Sequence, residues 1–453
     1  MSTLRGYAGY SAGFAREAIT PPPGAPLAGY FAPRPSSGVL DELEAKAALV
    51  QSGAGPPAGV IALDLLYASD ELVARIRRAL RQRGFPAPDA PLICATHTHT
   101  GPYVGGVFDA DCVSREYLDA VADKAASAAM RAWESLRPAE LFRASATNNP
   151  FAFNRRFFMK DGRVVTNPGK RNPNIVRPEG SVDRQIHVLA VRRDGNLAGV
   201  LVNIANHADT TGGDRVSRDW PGQLETRLQE LLGQPVPVLI LVAPSGNLNH
   251  FDVSSAAPQT SPAEAQRIGQ GYAEIVRNMI EGLTPLEPGE VRSDTVRVQV
   301  GFRAVSDDEL AAARRVLAES GPGRAPAAVM TAEDLAAGCR AADQFFANQL
   351  VEFARKEQGR TCEYSITALK IGRCVALVGL PGEPFTEIGM RIKDGSAFPA
   401  TLVVAHANGA CGYVPLPECF ARGGYETLRR IGGGAREDTA ERLVGAALSA
   451  LRG

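Results

Sequence analysis

The sequence predicts an α/β fold, a layered mixed sheet with helices packed on it and a metal site at the strand ends. Three observations predict it. Apolar runs are short, the longest being of the length of Val236 to Ala243 (VPVLILVA), which suits a buried strand. Amphipathic stretches alternate with these runs. Several runs also open straight into loops rich in His, Asp, Asn and Glu, the place where open α/β sheets bind ligands.

The elements follow in order. Residues 21 to 58 are rich in Pro, Gly and Ser and read as an irregular wrapping segment. Gly59 to Leu66 reads as a buried strand, Ser69 as the N-cap of the helix ELVARIRRALRQRG, and PLICATHTHTGP as a second strand entering a polar loop. Strand, helix, strand in that order suggests a parallel pair. Arg115 to Leu136 is an Ala-rich amphipathic helix stopped before Pro138. Strands at Gln185 to Arg192 and Leu197 to Asn203 flank Asp194-Gly195, a hairpin signal. A helix begins at Asp219-Trp220-Pro221 and ends near Gly233, the strand VPVLILVA leads into the polar turn Pro244 to Asp252, and Ser261 to Leu283 is helical. Residues 291 to 303 alternate as an exposed strand. Residues 306 to 359 form a helical insertion broken at Gly321-Pro322-Gly323. Two strand-to-loop units close the chain, CVALVGL into PGEPFTEIGM and ATLVVAHA into NGACGYVPLPECFARGGYE. No internal repeat stands out.

Composition narrows the function. With 49 basic and 49 acidic residues the net charge is +0, so no strong field favours phosphate backbones or anionic membranes. No nucleic-acid partner is expected. No run approaches the roughly 20 apolar residues of a membrane span, and the amino terminus lacks the apolar core of a secretion signal, which predicts a cytoplasmic protein with no integral membrane segment. Seven cysteines without a C-x-x-C pair argue for reduced thiols rather than a disulfide framework or a thiolate zinc site.

Six histidines remain to be weighed. In Thr96-His97-Thr98-His99-Thr100-Gly101-Pro102 the two imidazoles share a strand face and can splay where the strand frays, as a metal ligand and its neighbour or as a hydrogen-bonded pair. Asn206-His207-Ala208-Asp209 lies past another strand, with Asp214 and Ser217-Arg218-Asp219-Trp220-Pro221-Gly222 following. Pro381-Gly382-Glu383 places a carboxylate at the mouth of a third, or in a helix's first turn. Two imidazoles and a carboxylate are the ligand types of a catalytic zinc site.

The segments ATHTHTGP, FNRR, NHAD with SRDWPG, APSGNLNHFD, PGEPFTEIG and NGACGYVPLPECFARGGYE resemble, in this order, the amino-terminal catalytic region of neutral/alkaline, non-lysosomal ceramidases, and the resemblance covers nearly the whole chain. It implies a zinc-dependent amide hydrolase with one Zn²⁺ per chain. The ligands it implies are His97, His207, Glu383 and Tyr413, with Tyr425 the weaker choice for the fourth. It implies His99 in the active site without direct ligation and Arg155 in the substrate pocket, so His99 and Arg155 are the expected catalytic residues: Arg155 for the oxyanion, His99 or a nearby acid for the leaving amine. Asp209, Asp214 and Asp219 either orient imidazoles or serve the turns. Asn247, Asn249 and His250 either line the pocket or cap backbone.

The chain also departs from that family. HFDVSSAAPQTSP runs directly into a helix without the family's Gly-Pro-Ser-Met-Cys stretch, and ETLRRIGGGAR stands where a second active-site Tyr is found. The carboxy-terminal β domain and secretion signal of true ceramidases are not evident. These departures predict a small-molecule amide substrate more than ceramide. An ester, a lactone or a cyclic amide is the alternative, as is true ceramidase activity, and a non-catalytic binding protein is the remaining one. Because the motifs gather positions 97 to 413 into one site, residues 1–453 are expected to form a single catalytic domain. A homo-oligomer is compatible with all of this.

Overall fold

The computed structural model describes residues 9–105, 112–319 and 340–453. The chain runs three times through one topology. The first pass comprises β1 (Tyr10–Ala18), β2 (Glu44–Ser52), β3 (Ala58–Leu63), α1 (Asp70–Gln82), β4 (Leu92–Ala95) and α2 (Arg115–Glu134). The second comprises β5 (Arg137–Ala146), β6 (Ile186–Arg193), β7 (Asn196–Ile204), α3 (Asp219–Leu232), β8 (Val238–Val242) and α4 (Pro262–Glu281). The third comprises β9 (Val291–Gly301), the helices α5 (Asp307–Glu319) and α6 (Arg340–Lys356), then β10 (Thr361–Ile371), β11 (Val375–Gly379), α7 (Thr386–Gly395), β12 (Ala400–Val404) and α8 (Thr439–Arg452).

In each pass the first three strands pair antiparallel and a helix then crosses over to a fourth, parallel strand: β3 with β4, β7 with β8, β11 with β12. The first two passes merge into one sheet, ordered β8-β7-β6-β5-β1-β2-β3-β4, with the short strand Thr284–Pro285 added on β5. The third forms its own sheet, β9-β10-β11-β12. Each pass buries its outer face under two helices, α1 with α2, α3 with α4, and α7 with α8. A central core that includes Leu189, Leu241, Leu369, Leu377 and Leu402 joins the sheets. Both edges of the large sheet reach the segment after β12: Ala405 N–H donates to the Val242 carbonyl (2.8 Å), Ala95 N–H to that of His406 (3.2 Å), and Asn408 N–H to that of Ile93 (2.8 Å). The carboxyl ends of the three parallel pairs therefore meet.

Local chemistry accounts for most boundaries. Ser69 Oγ accepts from Leu72 N–H as the N-cap of α1, and Ser261 does the same for α4. Asp194 and Gly195 both have positive φ, 49° and 79°, as a type I′ hairpin turn requires. Gly233, at φ 64°, ends α3.

The segment 21 to 58 is not wholly irregular. EAKAALVQS reads as helix by propensity, yet it is β2, a central strand whose Ala side chains are buried against neighbouring strands and α2. Tertiary packing overrides propensity there. Pro138 stops α2 and also lies within β5, at a stretch that pairs on one side only: Arg137 to Ala139 pair with β1 alone, before Glu140 to Ala146 pair with β6. The expected insertion supplies α5 and α6, while its Gly321-Pro322-Gly323 break lies outside the described residues. The six described cysteines are free thiols, and among the described residues no helix is long and apolar enough to cross a membrane.

Candidate metal centre

The parallel strands deliver the polar side chains. His97 stands two residues beyond β4, His207 three beyond β7, and Glu383 four beyond β11. All three are buried, at 1%, 2% and 2% exposure. His97 Nε2 lies 3.1 Å from His207 Nε2, 3.3 Å from His99 Nε2 and 3.5 Å from Glu383 Oε2; His207 Nε2 lies 3.9 Å from the same oxygen.

Backbone carbonyls set the tautomers. His97 Nδ1 donates to the Leu66 carbonyl (2.8 Å) and His99 Nδ1 to that of Gly29 (2.9 Å), leaving each Nε2 as a lone pair directed at the cluster. Burial first, and the neighbouring imidazoles second, push His99 and His207 well below the ordinary histidine range, so both are neutral. Burial alone would raise the Glu383 carboxyl, but His97, His406 and Arg155 together hold it well below the ordinary range. Glu383 Oε2 and His207 Nδ1 have no hydrogen-bond partner among the described residues. Converging nitrogen lone pairs beside an unsatisfied buried carboxylate oxygen are destabilising unless a cation completes them. His97, His99 and His207 form a group that could hold a metal ion.

Backbone strain marks the same place. His97 (φ 65°) and His406 (φ 53°), each two residues past its strand, are both left-handed, and their rings stack at 3.9 Å and 11°. Such conformations cost about 1–3 kcal/mol each and persist only where the surroundings dictate them. Gly29 is needed for a different reason, since a Cβ there would stand 2.8 Å from the His99 side chain. Gly382 has φ 66°, and a Cβ on it would meet the Gly412 carbonyl at 2.4 Å.

The expected residues converge with distinct placements. Tyr413 pairs with Glu383 in a two-residue parallel ladder and is buried. Tyr425 lies farther along the same wall, its ring 5.7 Å from that of Tyr413. His99 stands beside His97, their Nε2 atoms 3.3 Å apart. Arg155 has its guanidinium 5.1 Å from the Tyr413 ring centre and is held by Glu426 Oε1 (2.8 Å) and the Gly246 carbonyl (2.7 Å). Arg156 binds Glu426 Oε2 (2.6 Å), so a buried Arg–Glu–Arg triad ties FNRR to GGYE.

The three aspartates divide. Asp209 accepts from Tyr30 (2.5 Å) and lies 3.6 Å from His99 Nδ1. Asp219 accepts from the Thr210 and Thr211 amides, while Trp220 Nε1 donates to the His207 carbonyl (2.9 Å), so SRDWPG clamps the His207 loop. Asp214 is exposed and accepts from Ser37. Asn247 accepts from Thr386 N–H at the start of α7 and donates to Glu387. Asn249 lines the cavity, and His250 is buried beside Phe251. Sequence reasoning assigned no role to Tyr67, whose hydroxyl donates to Glu383 Oε1 (2.9 Å), or to His406. Tyr67 ends an apolar run that reads as strand. For His406 a signal existed: it follows β12 at the offset by which His97 follows β4.

Above the cluster is a cavity of about 1150 Å³, lined by His99, Arg155, His207, Tyr413 and Tyr425. Part of its wall comes from the connection between the first and second strands of each pass, and the rest from the loops after β7, β8 and β12. Residues 29–35 supply Tyr30, Phe31 and Arg34, residues 155–170 supply Val164 and Thr166, and α6 supplies Phe346. Phe31 meets Phe346 edge-on at 5.9 Å and Tyr425 at 6.1 Å.

No family model matches the chain, and no curated protein matches it. Solved structures do. A ceramidase complexed with C2 matches at a TM-score of 0.72 and 17% identity over 98% of this chain and 75% of that one. The neutral ceramidase from Pseudomonas aeruginosa matches at 0.69 and 18% over 98% and 74%. At this identity the likeness is one of fold: over 98% of its length this chain folds as these ceramidases do.

Proposed function

We propose that the protein is a zinc-dependent amide hydrolase acting on an N-acyl amide whose apolar part lies along the Phe31, Phe346 and Tyr425 wall. The observation that carries the reading is the incomplete cluster on the cavity floor, with imidazole nitrogens 3.1 Å apart and an unpartnered carboxylate oxygen beside them. His97, His207, Glu383 and Tyr413 are the proposed ligands, a nitrogen and oxygen set that suits zinc. A divalent metal there supplies Lewis acidity, polarising the amide carbonyl and acidifying a water. The likeness in fold to the two solved ceramidases supports an amide as the bond.

The chain's own groups take the remaining roles. His99 has its Nδ1–H committed to Gly29, so Nε2 is available to take a proton from the attacking water and return it to the departing amine. Arg155, fixed by Glu426 and Gly246, offers positive charge beside Tyr413 where the oxyanion develops. The aromatic wall excludes water from an acyl chain, and the cavity is larger than a short amide needs.

The test is metal analysis together with a substrate panel. Purified protein should carry a single zinc per chain, and chelation should abolish hydrolysis of N-acyl amides until zinc is restored. A metal-free active protein would overturn the reading, and activity confined to esters or lactones would move the bond.

A further inference from the structure

Tyr67 is unusual among buried tyrosines near the centre because of where the fold places it. The third strand of each pass ends in a residue that enters the cluster: β7 delivers His207 three residues on, and β11 delivers Glu383 four residues on. In the first pass the equivalent strand, β3, delivers Tyr67 four residues on. It thus occupies the position from which the other two passes supply proposed ligands. Its side chain turns to the same point. The hydroxyl donates to Glu383 Oε1 at 2.9 Å, and the ring sits 5.5 Å from that of His97 and 6.2 Å from that of His406. The carbonyl of Leu66, the residue before it, is the acceptor for His97 Nδ1–H.

We infer that Tyr67 is a positioning residue that fixes the Glu383 carboxylate for single-oxygen ligation, an inference resting on the metal-dependent reading above. A free carboxylate can rotate or offer both oxygens to a cation. Here Oε1 is taken by the phenol, and the unpartnered Oε2 is the oxygen that faces His97 and His207. The ring is buried and does not line the cavity, so Tyr67 acts through Glu383 and not on substrate. Groups that orient a metal's ligands are worth about 10–100-fold in affinity.

The experiment compares the full-length wild type with Tyr67→Phe, Glu383→Gln and the double variant. Each is stripped of metal, its Zn²⁺ affinity is read by competition with a chromophoric chelator, and the Co²⁺-loaded proteins are compared by visible absorption. Tyr67→Phe keeps the ring and should weaken Zn²⁺ binding by about 10–100-fold. It should also change the Co²⁺ band intensity, because the freed Oε1 can enter the coordination sphere. In the Glu383→Gln background the same substitution should cause no further loss. A residue that merely supported the fold would leave the Co²⁺ spectrum unaltered, and its effect would add to that of Glu383→Gln; either result overturns the inference. Wild-type protein that binds no metal overturns the functional reading and this inference together. Wild type that binds zinc, with Tyr67→Phe binding it equally well, overturns the role of Tyr67 alone.

Discussion

Two buried polar clusters share the cavity floor and differ in completeness. In the Arg155–Glu426–Arg156 triad both carboxylate oxygens are paired at 2.6–2.8 Å, and Thr166 adds a further donor at 2.8 Å. In the His97–His207–Glu383 cluster the nitrogens face one another and one oxygen is unpartnered. Both lie beneath one cavity and both tie distant segments together. The difference separates their roles: the first cluster is finished by the chain itself, and the second is arranged for something the chain does not supply. Substitution should therefore act oppositely on the two.

The largest effect is expected at the unfinished cluster, on function and not on stability. His207→Ala removes a proposed ligand, so zinc binding and hydrolysis should both disappear. The metal-free protein should unfold no more readily than metal-free wild type, because the substitution also relieves the crowding of two facing imidazole nitrogens. Metal analysis paired with thermal melts of the stripped proteins checks this. A markedly destabilised apo variant would show that the cluster is structural.

The next effect is the converse. Glu426→Ala leaves the buried Arg155 guanidinium without a carboxylate, while Arg156 keeps Glu179, and breaking a buried pair costs about 3–5 kcal/mol. Denaturant titration should show that loss, while the folded fraction still takes up zinc. Zinc loss without lost stability would place Glu426 in the metal cluster.

This division explains what the sequence disclosed. His97, His207 and Glu383 were legible because each is a chemically distinctive residue just past an apolar strand, and strand ends in parallel pairs converge. The triad was visible only as the segments FNRR and GGYE, since nothing local says that residues 155 and 426 touch. β2 was missed because the Pro, Gly and Ser around it made residues 21 to 58 read as irregular, and EAKAALVQS becomes a strand only through its neighbours. The threefold topology was hidden as well. Three passes can share a strand order while presenting Tyr67, His207 and Glu383 at corresponding ends, because hydrogen bonding constrains the backbone and leaves those side chains free to diverge. Gly29 makes the same point, for its role lies in a carbonyl and in the absence of a Cβ beside His99.

The smallest expected effect concerns a histidine that is already complete. His187, on β6, has Nδ1 2.8 Å from Ser145 Oγ and Nε2 3.3 Å from Gln185 Oε1, and burial lowers its pKa to about 4. Unfolding returns it to about 6.5, so between those values the unfolded chain binds more protons than the folded one. Its contribution to stability is therefore fully present above pH about 6.5 and is lost as pH falls towards 4. The full swing is about 3 kcal/mol. In His187→Gln that dependence should be gone from the variant's own curve, so the difference between wild-type and variant stability should fall by about that amount as pH drops from about 6.5 towards 4, with zinc content unchanged. If the difference curve is flat across the window, His187 titrates as it does in the unfolded chain. The contrast between finished and unfinished imidazoles would then have to rest on metal affinity alone.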